Sequence, residues 1–413
     1  MTKLACLGGT PVTDNIIATS TLVDENKLAR TYLLETFDSG IWDDWPEVPS
    51  AASKFQEEWA DFNGVEFCAL FTNGTHTLQV ALEALGIGAF DEVIVPGLTW
   101  QATASVVCDV NAIPIIVDVE PDTLCIDPAC IEAAITPRTR AIIPVHLYHR
   151  MANMDEIMCI AKKHNIHVIE DTAHSHGSLW SGKSAGTIGT IGSFSFQRSK
   201  LMNAGEGGAL LLNDESLFWK VVSQRSCGRE FKSGTKVHSG NYRITALQAA
   251  ILRAQLVALQ KNMKTIDAMG LAFDRAVAAA PGVSPLRRPE QITRQSSYGF
   301  VFLYDKEAFD NLPAPLFRKA LSAELGVGFG TTYEPLNQSP VYYPQTKKRH
   351  QLSEEYIRAI TPSRWKLPAA DAIWRHTAVQ AHWPVFGCPP EKASLLTDAI
   401  SRIYEQRHSL MQK

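Results

Sequence analysis

A lysine in a tight bend and a carboxylate at a strand end carry the strongest chemical signal in this chain. Lys200 follows the apolar run Gly192-Ser193-Phe194-Ser195-Phe196 and a polar break, Gln197-Arg198-Ser199. After it, Leu201-Met202-Asn203-Ala204 leads through Gly205-Glu206-Gly207-Gly208 into a second apolar strand over 209–212. This order puts one amine at a backbone-rich bend. Upstream, His167-Val168-Ile169-Glu170-Asp171 reads as a buried strand that closes on two carboxylates. An amine that condenses with an aldehyde, and an aspartate that holds a proton on a pyridine nitrogen, are what pyridoxal phosphate needs.

Other positions gain weight from that pair. Phe71-Thr72-Asn73-Gly74-Thr75 joins a strand to a helix start. There Gly74 permits close backbone approach, Thr75 offers a hydroxyl, and the helix terminus favours an anion. Taken alone, an ordinary N-cap is the better explanation of the same residues. Ser195 lies five residues before Lys200 and can reach a phosphate while Lys200 reaches the aldehyde carbon. His174, three residues after Asp171, is placed to approach the ring's phenolic oxygen. Trp100 follows another strand end and can stack on the pyridine face, although core packing is the commoner fate of an indole. Asn241, before the helix that starts at Thr245, is an amide donor for a phosphate. A metal site built on His146, His149, His174 and His176 is the sharper rival. Their spacing matches no zinc pattern and no cysteine joins them, so the expectation is no metal.

The elements that must position these groups alternate. Strands are expected over 67–71, 92–96, 113–117, 141–145 and 167–170, with helices over 75–85, 102–111, 128–135 and 154–165 between them. Continuously apolar strands between helices imply a mostly parallel sheet covered on both faces. Residues 1–50 read as an irregular arm, 51–260 as a large cofactor-binding domain, and 261–413 as a smaller α+β domain. Within the last, 298–304 alternates like a strand with one exposed face, and 389–407 reads as a closing helix. The stretch from Tyr333 to Arg349 reads as a long loop of the functional kind.

Composition narrows the classes. The 413 residues suit two domains, and 39 basic against 43 acidic residues in no block give no case for nucleic acid or an anionic membrane. Eight scattered cysteines without a Cys-x-x-Cys pair argue for free thiols and a cytoplasmic protein. No signal peptide and no spanning apolar stretch is evident.

The ordered set Thr72-Asn73-Gly74-Thr75, Asp91 to Pro96, Pro144-Val145-His146-Leu147-Tyr148, Glu170-Asp171, Ser195-Phe196-Gln197, Lys200, Gly205 to Gly208 and Asn241-Tyr242-Arg243 resembles the DegT/DnrJ/EryC1/StrS sugar aminotransferases. The likeness covers nearly the whole chain. It implies the type I aspartate aminotransferase fold, with a mostly parallel seven-stranded sheet and a smaller C-terminal α+β domain. It implies Lys200 as the lysine that carries pyridoxal 5'-phosphate and Asp171 as the partner of the ring nitrogen. Trp100 would be the stacking ring, Gly74, Thr75 and Ser195 the phosphate site, and Asn241 its completion from the partner subunit of a homodimer. His174 stands where many members have glutamine, so the detail of that contact is open.

Within the family the text looks most like the cyclitol aminotransferases of aminoglycoside pathways. Cys125-Ile126-Asp127-Pro128, Ala173 to Ser178, Gly186-Thr187-Ile188-Gly189 and Tyr333-Glu334-Pro335-Leu336-Asn337 carry that similarity. Such relatives aminate scyllo-inosose or 2-deoxy-scyllo-inosose, usually from glutamine, with glutamate the other donor to consider. His149, Trp180, Arg229, Tyr333, Glu334 and Asn337 are the loop candidates for a polyhydroxylated ketone. The 3-amino-5-hydroxybenzoate synthases share His174 and the run around Lys200, and compete closely. A nucleotide-sugar aminotransferase is a further alternative. A non-catalytic regulator is disfavoured by the intact lysine and aspartate.

Overall fold

The computed structural model of the chain describes residues 3–17, 22–382 and 387–411. Positions 1–2 and 18–21 of the expected arm lie outside the described residues.

Apolar strands alternating with helices build a seven-stranded sheet. Its first five strands are β1 (Phe67–Phe71), β2 (Glu92–Pro96), β3 (Ile113–Val117), β4 (Thr139–Ile142) and β5 (His167–Asp171). A small hairpin follows, β6 (Leu179–Trp180) and β7 (Lys183–Ser184), and then β8 (Ile191–Ser195) and β9 (Gly208–Leu212) complete the sheet. The spatial order is β1-β9-β8-β5-β4-β2-β3. Only β9 runs antiparallel, against both β1 and β8. The expected mostly parallel sheet is therefore present. Its carboxyl edge collects the ends of β1, β2, β5 and β8, which is where an open parallel sheet binds ligands.

Local chemistry starts the helices at that edge. The Asn73 side chain accepts the Thr75 and His76 amides and caps the helix Gly74–Ala84. Thr245 and Gln248 form a reciprocal capping box for the long helix Ala246–Ala278. That helix crosses residue 260. Its early residues Leu252, Leu256 and Leu259 pack with the helix Ala51–Asn63 beneath β1, β8 and β9. Its later residues Ile266, Met269 and Phe273 enter the C-terminal core, which also takes in Leu4 and Ile16.

The C-terminal part holds β10 (Val283–Pro285), β11 (Ile292–Arg294), β12 (Gly299–Tyr304) and β13 (Ala378–His382). β12 is the middle strand between β10 and β13, while β11 pairs with β6 of the hairpin. The alternation expected over 298–304 is real, but neither face is exposed. Phe300, Phe302 and Tyr304 enter the C-terminal core, and Val301 and Leu303 pack on the core of the large sheet.

Two further expectations are corrected. The arm is not irregular throughout, because Asn26–Ser39 is a helix lying on the long helix. It buries Thr36 and half-buries Leu28, Ala29, Tyr32 and Leu33 along one face, with the Lys261–Glu25 ion pair and Arg253 over the Tyr32 ring beside them. The closing segment is a 3-10 turn at Pro390–Ala393, then the helices Ser394–Glu405 and Arg407–Met411.

Trp59 is fully buried, with the rings of Phe55, Phe62, Phe194, Phe196 and His176 at centroid distances of 5.2 to 6.2 Å. It presses the helix Ala51–Asn63 onto β8, the strand that leads to Lys200. Trp59→Ala is expected to cost about 3–5 kcal/mol in urea unfolding. A loss under about 1 kcal/mol would show that the cluster does not hold this helix in place.

Candidate active site

Adjacent residues of a strand face opposite ways, and the end of β5 uses this to separate two carboxylates. Glu170 is fully buried on the side away from the cavity. It accepts the amides of Gly186 at 2.9 Å, Ile188 at 2.7 Å and Gly189 at 2.6 Å, and faces His146 Nε2 at 3.0 Å. His146 Nδ1 accepts the Ala152 amide, so Nε2 carries the proton that Glu170 receives. Asp171 points into the cavity. Thr103 donates its hydroxyl to Oδ2 at 2.9 Å, and the Ala173 amide donates to Oδ1 at 3.2 Å. Burial pushes the Asp171 carboxyl up from its ordinary value, against the pull of the Thr103 hydrogen bond.

The cavity holds about 710 Å³ and is walled by Gly74, Thr75, Trp100, Asp171, His174, Ser195, Lys200 and Tyr333, among others. Eight of the sequence candidates thus share one enclosure at the carboxyl edge of the sheet. Burial lowers the Lys200 amine to about 8, with Asp171 acting in the opposite sense. The amine lies 4.3 Å from the centroid of the Tyr298 ring.

His174 is also buried, and burial followed by the nearby Lys200 charge holds it well below its ordinary value. The imidazole is therefore neutral, and its tautomer is set by a backbone contact. The Tyr148 amide donates to Nδ1 at 3.1 Å, which leaves the proton on Nε2. That N–H is the group His174 offers on the cavity side, with the Tyr333 hydroxyl 3.5 Å away.

The first turn of the helix Gly74–Ala84 abuts the end of β8. A Cβ on Gly74 would stand 2.7 Å from the Ser195 Cβ, so only glycine lets the two segments meet. Asn73 already occupies the Thr75 and His76 amides. The hydroxyls of Thr75 and Ser195 line the same wall.

The remaining candidates are elsewhere. His149 is buried in the core against the Phe300 ring and 3.9 Å from Asp274. Trp180 is a core residue that donates its indole N–H to Asp155 at 2.9 Å. Arg229 is exposed and stacks on Trp45. Asn337 donates to the Trp365 carbonyl at 3.0 Å, and neither it nor Glu334 reaches the cavity wall. Of the six loop candidates only Tyr333 lines the cavity. Asn241 is exposed, outside this chain's own cavity, and its side chain accepts the Arg243 amide at 3.3 Å. The four histidines weighed as a metal site serve separate contacts. No group of three His, Cys, Asp or Glu fit to hold a metal occurs among the described residues.

Thr103, Tyr298 and His76 also line the cavity and were not singled out from the sequence. Thr103 had a signal, since Thr99 and Thr103 fall one helical turn apart beside Trp100 and bond each other at 3.1 Å. Tyr298 had none, because it arrives from the C-terminal part of the chain.

The groups fit pyridoxal phosphate. Asp171, a buried carboxylate without an ion-pair partner among the described residues, suits a pyridinium N–H, and a lysine amine stands in the same cavity. On a sheet of this order they form a candidate site for that cofactor. The chain belongs to the DegT/DnrJ/EryC1/StrS aminotransferase family, whose model matches residues 24–373. It is 35% identical to the L-glutamine:2-deoxy-scyllo-inosose aminotransferase of Streptomyces fradiae, over 87% of this chain and 88% of that one. It is 38% identical to the L-glutamine:scyllo-inosose aminotransferase of Streptomyces griseus, over 77% of each. Among solved structures, 3-amino-5-hydroxybenzoic acid synthase superposes with a TM-score of 0.78 at 29% identity, covering 93% of this chain and 98% of that one. An aminotransferase from Psychrobacter cryohalolentis gives 0.78 at 27%, covering 95% and 99%.

In protein stripped of cofactor, amine-selective labelling of Lys200 should show a pH midpoint near 8, read by mass spectrometry of its peptide. Asp171→Asn removes the charge that raises this amine, so the midpoint should fall. A midpoint near that of surface lysines would contradict the burial described.

Proposed function

We propose that this enzyme moves an amino group from L-glutamine, or glutamate, to a keto-cyclitol such as scyllo-inosose or 2-deoxy-scyllo-inosose in aminoglycoside-type biosynthesis. The observation that carries the reading is the pairing of Lys200 and Asp171 in one cavity, on a chain whose curated relatives bear those substrate names. Among the described residues of this chain the wall adds hydroxyl and amide groups, from Thr99, Gln197, Ser199, Tyr298 and Tyr333, and no arginine. A neutral polyol needs such hydrogen-bonding groups, whereas a nucleotide diphosphate calls for guanidinium or ammonium groups.

When bound, pyridoxal phosphate supplies the electron sink that lets an α-hydrogen leave as a proton. Lys200 would hold the cofactor through its amine. Its amine would then serve as the base that carries the donor's α-proton. A value near 8 keeps a useful fraction of that amine unprotonated at neutral pH. Asp171 keeps the ring nitrogen protonated, and Thr103 fixes the carboxylate that does so. His174 offers its Nε2–H to the phenolic oxygen, and Trp100, half-exposed at the wall, covers a ring face. Gly74, Thr75 and Ser195 hold the phosphate, joined by Asn241 of the partner subunit in a homodimer. Tyr333 contacts the acceptor.

Among the described residues no helix is long and apolar enough to cross a membrane. Among the described residues no disulfide joins two cysteines, which supports a cytoplasmic setting.

The test is the absorption spectrum of purified protein. With pyridoxal phosphate the wild type should show a visible band that L-glutamine removes and scyllo-inosose restores. Lys200→Ala should lose this cycle and about 10²–10⁴-fold in rate. Restoration only by another ketone would overturn the cyclitol acceptor, and an ultraviolet-absorbing product would favour the aromatising synthase. Absence of any band would overturn the role of Lys200.

A further inference from the structure

Among the described residues the Lys200 amine makes no hydrogen bond or ion pair. Its partner is the face of the Tyr298 ring, 4.3 Å from the centroid. The same ring stacks on His174, with centroids 3.8 Å apart and planes 13° from parallel. A ring lying parallel at that distance covers its face, so the amine and the imidazole occupy opposite faces of Tyr298.

The phenol is fixed at its rim as well. Ser199 donates its hydroxyl to Gln197 Oε1 at 2.7 Å, so at 3.3 Å the Tyr298 hydroxyl is the donor to Ser199. The Tyr298 amide donates to the Tyr148 carbonyl at 3.1 Å, and the Tyr148 amide in turn sets the His174 tautomer. Tyr298 is buried and immediately precedes β12. One side chain from the C-terminal part therefore touches the catalytic lysine, the residue beside it and the histidine of the ring site.

We propose that Tyr298 is a positioning residue for Lys200, its ring being the rest on which the amine lies whenever it is not bonded to the cofactor. The inference builds on the reading that Lys200 carries the cofactor. An aromatic face attracts an ammonium ion more than a neutral amine. The ring thus helps Lys200 hold the proton it takes from the donor α-carbon, and keeps that proton close to where it is returned. Burial acts in the opposite sense.

Wild type, Tyr298→Phe and Tyr298→Leu are compared as full-length proteins. Each is first loaded with pyridoxal phosphate and reduced with borohydride, and the modified peptide is identified. Fixation on Lys200 in the wild type upholds the underlying reading, while fixation elsewhere or nowhere overturns that reading and the proposal with it. In cofactor-free protein the pH dependence of Lys200 acetylation is then followed by mass spectrometry. The leucine variant should lower the midpoint by roughly half a pH unit, because burial persists and the ring is gone. The phenylalanine variant keeps the ring and should match the wild type. A leucine midpoint equal to or above the wild type, with the cofactor still fixed on Lys200, overturns the proposal. Tyr298→Met, which fills similar space without a ring, serves in the same way if the leucine variant does not fold.

Discussion

A buried carboxylate without a cation must be surrounded by donors, and Glu170 meets that requirement with three backbone amides and one imidazole. Those donors come from two segments. The turn 186–189 leads into β8, and His146 follows β4. Glu170 therefore pins the neighbours of β5 to its carboxyl end. Removing one partner leaves a buried charge short of hydrogen bonds, which costs far more than the bond itself gains. The geometry at this point is rigid for that reason.

The candidate site is measured from this knot. Asp171 is the next residue, so its direction into the cavity follows from that of Glu170. The turn held by Glu170 delivers β8 in register with β5, which puts Ser193 beside Asp171 and Ser195 at the rim. The crossing is tight enough that a Cβ on Gly192 would stand 2.0 Å from the Gly186 carbonyl oxygen. From Ser195 the chain turns to Lys200. The lysine and the aspartate thus share a cavity because a second carboxylate, Glu170, fixes the strands beside them.

Whether a feature could be read from the sequence depended on whether its cause was local. The strands of the large sheet are legible because burial on both faces makes them continuously apolar. β12 is buried on both faces too, yet its alternation suggested one wet face, since nothing in its text says that two different cores meet there. Lys200, Asp171, Gly74 and Ser195 sit at strand ends, where turn residues betray a carboxyl edge. Trp180, His149 and Arg229 are candidates by residue type and by place in expected loops, and neither distinguishes a polyol contact from an indole bonded to Asp155 or a guanidinium stacked on Trp45. Tyr298 lies 98 residues beyond Lys200 and announces itself only in three dimensions. The helix Asn26–Ser39 carries a short stripe at Leu28, Ala29, Tyr32 and Leu33, but the Asp-, Pro- and Gly-rich stretch from Asp38 to Pro49 gives the arm an irregular texture.

The bend that bears Lys200 is laced to itself. The Phe196 amide bonds the Gly207 carbonyl at 2.8 Å, Arg198 bonds Gly205 at 2.8 Å, and Ala204 reaches back to Phe196 at 3.1 Å. Both ends of the loop are anchored in paired strands, β8 and β9. Lys200 is thus a swinging arm on a fixed post, and its travel is set by the torsions of its own methylene chain. Such torsions relax in picoseconds to nanoseconds, far faster than loop or domain movements. On the proposed reading of Lys200, its amine would pass between the cofactor and the face of Tyr298 without any backbone rearrangement.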